Sequence, residues 1–291
     1  MNSRLHVAVL LAVSLPVALA ANTVRLAGSD FAGPALGEVL KKNPPSRGGE
    51  WLLDLVGSKP GLDAVRAGTA DVAIVLLESL PTASDPDIDY TPLAYRAPVI
   101  VVSDRNPISG ISLPSLAAVL GEGETENFRR WSDLGLPGEW SARTISVQAA
   151  SADDPLLLDY LRSRVLKSPR LKSSLATGAG TAALLTRLRE DESALGILPA
   201  MPADMTGLKS VPVALNDAGI PFGPTSENIH AGDYPMRMIM ALATARDAGS
   251  GAAAGRRRLL SDTIAQALAE HGFVPVPSGV RARLSASVKV P

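Results

Sequence analysis

Residues 24–40 read VRLAGSDFAGPALGEVL. The opening VRL has strand character, and the small, Gly-rich segment 27–33 turns the chain. Residues 34–40 then carry helical spacing behind Pro34, a residue suited to the first turn of a helix. A strand that runs through a tight turn into a helix is the building unit of an α/β sheet. It also makes an anion cradle, because the first N–H groups of a helix have no partner inside it. Asp30 stands in that turn. Its charge opposes an anion, so its expected part is that of the helix N-cap.

The same alternation continues along the chain. Residues 71–76 (DVAIVL), 97–102 (APVIVV) and 194–198 (ALGIL) are unbroken apolar runs of the length of a buried strand. Residues 144–147 and 236–244 also read as strands, and 51–56 as a strand or a helix edge. Helical spacing marks 61–67, 155–167, 181–190 and 256–271. A further helix is expected over 112–120, with Ser112 as N-cap and Pro114 in its first turn. The Asp- and Pro-rich segment 82–90 reads as a loop. Residues 249–255 (GSGAAAG) read as a flexible linker, because they lack the Gly-Lys-Ser/Thr ending of a phosphate loop. No internal repeat is visible. Alternating strands and helices imply an α/β fold, an open sheet with helices on both faces.

Residues 1–20 predict a secretory leader. Arg4 precedes a short apolar run over 7–20, which ends in Ala18-Leu19-Ala20. The run is too short for a membrane span, which needs about 20 apolar residues. Cleavage before Ala21 leaves roughly 270 residues, enough for one large domain or two ordinary ones. The chain has no cysteine, so it has no disulfide, no thiol chemistry and no lipid anchor on an N-terminal Cys. A soluble periplasmic monomer is the expectation. With 28 basic against 29 acidic residues, the chain lacks the basic surface that nucleic acid selects.

Residue types give no catalytic centre. Of His6, His230 and His271, the first leaves with the leader. His271 precedes Gly272 at a helix end, where its charged form suits the dipole. Two distant histidines without cysteine make a poor metal site. No serine lies in a G-x-S-x-G elbow. Asp153-Asp154 and Glu190-Asp191-Glu192 are placed like helix caps. The expectation is a protein without catalytic residues, metal or cofactor, and not an enzyme.

Several stretches together resemble the periplasmic phosphate-binding proteins of ABC importers, which have the type 2 periplasmic binding protein fold. They are GSDFAGPAL (28–36), GSKPGLDAVRAGTADVAI (57–74), NPISGISLPSLAAVLGEGETENFRRWSDLG (106–135), ALGIL (194–198), PTSENIHAGDYPMRMIM (224–240) and FVPVPSG (273–279). The blocks follow the family's order, and 224–240 is the most specific. The resemblance implies two α/β lobes, each an open mixed sheet flanked by helices, around a ligand cleft. Lobe one would hold 22–98 and 204–291 and lobe two 99–203, with crossings near 96–103 and 198–204. A small molecule or ion would bind at helix N-termini in the cleft. The lobes would close by hinge motion, and a membrane ABC permease would be the partner.

Carried over position by position, the resemblance implies ligand contacts at Ser29, Asp30, Phe31, Gly57, Ser58, Asp153 and Asp154. The match is incomplete. Asp30 replaces a neutral hydroxyl, Leu76 falls where the family has a buried Asp, and Gln148 or Ala149 falls where it has an Arg. Losing that arginine removes a bidentate, charge-assisted pair with phosphate, and carboxylates nearby oppose any anion. One reading is therefore a solute-binding protein with a cationic or polyhydroxyl ligand. A second keeps phosphate with cationic help from Arg96 or Arg105. A third is an interaction or sensory module with a degenerate pocket.

Overall fold

The N-terminal strand, turn and helix form as β1 (Thr23–Gly28) and α1 (Ala32–Lys42). The structure is a computed structural model that describes residues 23–81, 85–154, 156–168 and 170–287. The leader expected over 1–20 lies outside these. The chain continues through β2 (Glu50–Asp54), α2 (Ser58–Arg66), β3 (Val72–Leu77), β4 (Ile88–Arg96), β5 (Val99–Ser103), β6 (Ile111–Ser112) and α3 (Leu113–Leu120). Then come β7 (Ser146–Ala149), α4 (Leu157–Arg164), α5 (Thr181–Glu190), β8 (Ala194–Leu198), β9 (Leu208–Ser210), β10 (Val213–Ala214) and α6 (Ser226–Ala231). The last elements are β11 (Met238–Ala245), α7 (Ser250–Leu259), α8 (Asp262–Glu270), β12 (Val274–Pro275) and α9 (Ser278–Ala286).

Among the described residues these strands make a six-stranded sheet, ordered β12-β4-β11-β3-β1-β2, and a four-stranded sheet, ordered β7-β8-β5-β9. A two-stranded pair, β10-β6, stands beside them. Both larger sheets are mixed. β1 is parallel to β2 and β3, whereas β11 runs antiparallel to β3 and β4. β7 is parallel to β8, and β5 is antiparallel to β8 and β9. The architecture is the mixed α/β one, with sheets flanked by helices.

The period of two along each strand explains why both faces are covered. In β3, Val72 and Ile74 join a cluster with Leu36, Leu40, Leu259 and Ile264 of α1, α7 and α8. Ala73 and Val75 point the other way, into a cluster with Val65 of α2. In β5, Ile100 and Val102 pack with Leu116 and Trp131, while Val99 and Val101 pack with Leu184 and Leu188 of α5. Apolar runs without polar alternation are the outcome of two buried faces.

Two glycines fix α2 against β1. Gly28 has φ +125°, and a Cβ on it would lie 2.1 Å from the Ile74 carbonyl oxygen. A Cβ on Gly61 would lie 2.4 Å from Gly28 Cα. The helix therefore rests on the strand at backbone distance, with its N-terminus held by a 2.8 Å bond from Gly57 N–H to the Gly28 carbonyl.

The structure corrects five expectations. The segment 82–90 is not wholly loop, since β4 begins at Ile88 and runs nine residues. Its Pro92 has no ladder donor, and the register beside β11 shifts there, where a bulge accommodates it. The linker at 249–255 belongs to α7, where Gly255 packs on Val24 and Val72. The helix expected over 256–271 is two helices, divided at Leu260-Ser261. The helix expected over 155–167 is shorter, Leu157–Arg164. Past the crossing expected near 198–204, β9 and β10 still pair with β5 and β6, so the chain returns to the first sheet only at β11.

The stretch 224–240 sits at the junction of the two sheets. Thr225 caps α6, its hydroxyl accepting from Asn228 N–H at 3.2 Å. The buried Tyr234 hydroxyl donates to the Pro98 carbonyl at 2.8 Å, between β4 and β5. His230 and Arg237 lie against the Tyr95 ring, at 5.5 and 5.1 Å. His230 is thus a half-buried joint residue whose Nε2 lies 3.0 Å from the Pro275 carbonyl.

Candidate functional site

A cleft of about 320 Å³ opens between the start of α1, the end of α8 and the segment ahead of α4. Asp30, Phe31 and Pro34 of the α1 turn line one side, with His271 and Phe273 from the end of α8. Asp153, Asp154 and Leu156, ahead of α4, line the other, and Arg96 at the end of β4 lies between. Of the residues singled out in the sequence, the cleft gathers Asp30, Phe31, Asp153 and Asp154. Ser29, Gly57 and Ser58 are not among its lining. Ser29 is buried, and its N–H donates to the Ile74 carbonyl at 2.8 Å. The Ser58 hydroxyl accepts from Leu76 N–H at 3.0 Å. Arg105 lies away from the cleft and pairs with Glu192 at 2.7 Å.

Arg96 dominates the centre. Its guanidinium sits 5.7 Å from the Phe31 ring centroid and 5.2 Å from that of Phe273, a cation held between two aromatic faces. It makes a short ion pair with Asp154. The two side chains are only 12% and 5% exposed, so the pair is a desolvated one. Asp154 Oδ1 also accepts from Leu156 N–H at 3.2 Å.

Asp153 serves a different helix. Its Oδ2 accepts from Thr181 N–H at 2.5 Å, capping α5 from a distant loop. Bonds from the Thr181 side chain and N–H hold its carboxyl below the usual carboxylate range, against a smaller opposing effect of burial. Asp30 does not cap α1, contrary to expectation. The N-cap is Phe31 and the helix has no side-chain cap. Only the Asp30 carbonyl is used, accepting from Gly33 N–H at 2.9 Å. Its exposed carboxylate has no hydrogen bond or ion pair among the described residues. Asp30 therefore faces the cleft as a free charge.

Comparisons with known proteins fix the fold. No family model matches the chain. A possible phosphate binding protein from Planctomyces limnophilus superposes with a TM-score of 0.72 at 17% identity, covering 91% of this chain and 97% of that one. PstS from Borrelia burgdorferi superposes with a TM-score of 0.68 at 18% identity, covering 88% and 99%. The fold is that of these solved phosphate-binding proteins. Among curated sequences, the phosphate-binding protein PstS of Pseudomonas aeruginosa is 20% identical over 197 residues, or 65% of this chain. The chain spans 60% of the length of these curated relatives.

The cleft gathers charges of both signs. Three carboxylates line it with one guanidinium, and that guanidinium already has an anionic partner. One N–H at the start of each of α4 and α5 is likewise met by a carboxylate, Leu156 N–H by Asp154 and Thr181 N–H by Asp153.

Sequence reasoning named Arg96 only as a cation near a crossing, and it missed Phe273 and the cleft position of His271. His271 Nδ1 lies 2.9 Å from the Ala267 carbonyl at the end of α8, as its helix-end position implies. Phe273 stands first in FVPVPSG, but nothing in that block announces that its ring backs an arginine from β4.

Proposed function

We propose that this protein is a periplasmic solute-binding protein that works with a membrane permease of the ABC type, as a monomer, and that its solute is not phosphate but carries positive charge. The two sheets are read as two lobes that meet around the cleft, joined through 97–98 and again ahead of β11. The likeness to phosphate-binding proteins supports the class of activity. The chemistry of the cleft supports the change of ligand, and one observation carries it: the Arg96 guanidinium pairs with Asp154, while the exposed Asp30 carboxylate has no partner among the described residues. In this reading Asp30, Phe31 and the exposed side of Asp153 touch the solute. Ser29, Gly57 and Ser58 stand behind as the wall that places α2. Chemistry on the solute is not part of the reading.

The test is a thermal-shift panel on refolded, ligand-stripped protein. Diamines, amino sugars, sugar alcohols and inorganic phosphate are compared at matched ionic strength. The expected result is a rise in Tm with an amine-bearing solute, diminished in Asp30→Asn, and none with phosphate. A rise with phosphate alone would contradict the reading.

A further inference from the structure

Helix α4 is tied to the first sheet at both ends. Just before it, Asp154 pairs with Arg96, which ends β4. At its last residue, Arg164 pairs with Glu78, which follows β3, at 3.0 Å. Leu157, Tyr160 and Leu161 root α4 in the core around Trp131 and β5. Arg96 is rooted on the opposite side, between the rings of Phe31 and Phe273. Both pairs therefore cross from one sheet assembly to the other, and the inner one does so out of water.

We propose that Asp154 is a tethered ligand: its carboxylate fills an oxyanion seat formed by Arg96, and with the Arg164–Glu78 pair it holds the cleft closed when no solute is present. In an ordinary hinged binding protein, closure is driven by contacts that a solute makes with both lobes at once. Here a side chain of one lobe makes that bridging contact with the other. The closed form is then favoured at all times, and an anion from solution has no seat to occupy. The inference rests on the proposed reading only in taking the cleft to lie between lobes that move. It needs no particular solute.

The absence of cysteine permits a direct distance measurement. Spin labels are placed on Lys41→Cys in α1 and Thr186→Cys in α5, both exposed. Separations are read by pulsed electron resonance on refolded, ligand-stripped protein. Wild type is expected to give one narrow, short distribution that millimolar phosphate does not move. Asp154→Ser, which vacates the seat, is expected to shift to longer and broader separations, and phosphate is expected to return it to the wild-type distance. Asp154→Asn can still accept from Leu156 N–H while losing the charge, so it separates latch from cap. It is expected to open with unchanged far-ultraviolet circular dichroism. Glu78→Gln is expected to open less, since Glu78 is the more exposed partner. The proposal is overturned by a broad, open distribution in wild type. It is overturned equally by native-like Asp154 variants that keep the short distance, or by an opened Asp154→Ser that phosphate does not close. Failure of cationic solutes to bind would overturn the functional reading and leave these distances as they are.

Discussion

The two walls of the cleft treat the same backbone resource in opposite ways. On the first-sheet side, α1 begins at the cleft without a side-chain cap, behind Phe31, and α2, which stands outside the lining, does so behind Gly57. On the second-sheet side, the N–H at the start of α4 is met by Asp154 and that of α5 by Asp153. Uncapped helix N-termini are what an anion-binding fold requires. Capped ones stabilise the apo protein and remove the donors from use. In the proposed reading the molecule keeps one uncapped helix start at the cleft, that of α1, and meets an N–H of the facing wall with its own carboxylates. A shared fold does not by itself fix a ligand, because a site depends on which of its N–H groups stay free.

Substitutions can break this contrast, and the largest effect is expected at the centre. Arg96→Ala leaves Asp154 buried without its partner. A loss of about 3–5 kcal/mol is expected by chemical denaturation. On the first-sheet side, away from the cleft lining, Gly61→Ala forces a methyl onto Gly28 Cα and lifts α2 from β1. It is expected to cost about 1–3 kcal/mol, with little change at Asp154. On the capped wall, Asp153→Ala removes the cap of α5, for about 1 kcal/mol. Because the Asp153 carboxyl is held low in the folded protein, its contribution is complete above ~4, the ordinary carboxylate value. It is lost as the pH falls through the lowered folded value. The difference in stability between wild type and Asp153→Ala should therefore shrink in acid. The smallest effect sharpens the contrast further. Asp30→Asn should leave Tm unchanged, since the carboxylate caps nothing, yet weaken any cationic solute.

Much of the scaffold was legible because it depends on local chemistry. Ser112 caps α3 as its position implies, its hydroxyl accepting from Ser115 N–H at 3.0 Å. The apolar run 194–198 is β8 and the periodic segment 181–190 is α5, residue for residue. β4 was obscured by Asp87, Asp89 and Pro92, which signal a loop unless a bulge absorbs the proline. The poly-Ala, Gly-rich start of α7 was obscured because small residues there serve close packing on β1 and β3, not flexibility. The site was harder to read. Asp30 looks like a cap in sequence and is not one, because the chain enters α1 through Phe31 in helical conformation. The Arg96–Asp154 pair joins residues 58 apart in the chain, and no spacing rule connects them. The missing arginine of the resemblance and the surplus Asp154 were each visible alone. That they meet depends on how the two sheets are placed.

The most direct test of the central claim is a pair of calorimetric titrations with inorganic phosphate, on ligand-stripped wild type and on Asp154→Ser. The account predicts no binding heat in wild type at millimolar phosphate and a saturable isotherm in Asp154→Ser, where Arg96 and the start of α4 are freed. Micromolar binding by wild type would contradict it, because phosphate would then hold its seat despite Asp154.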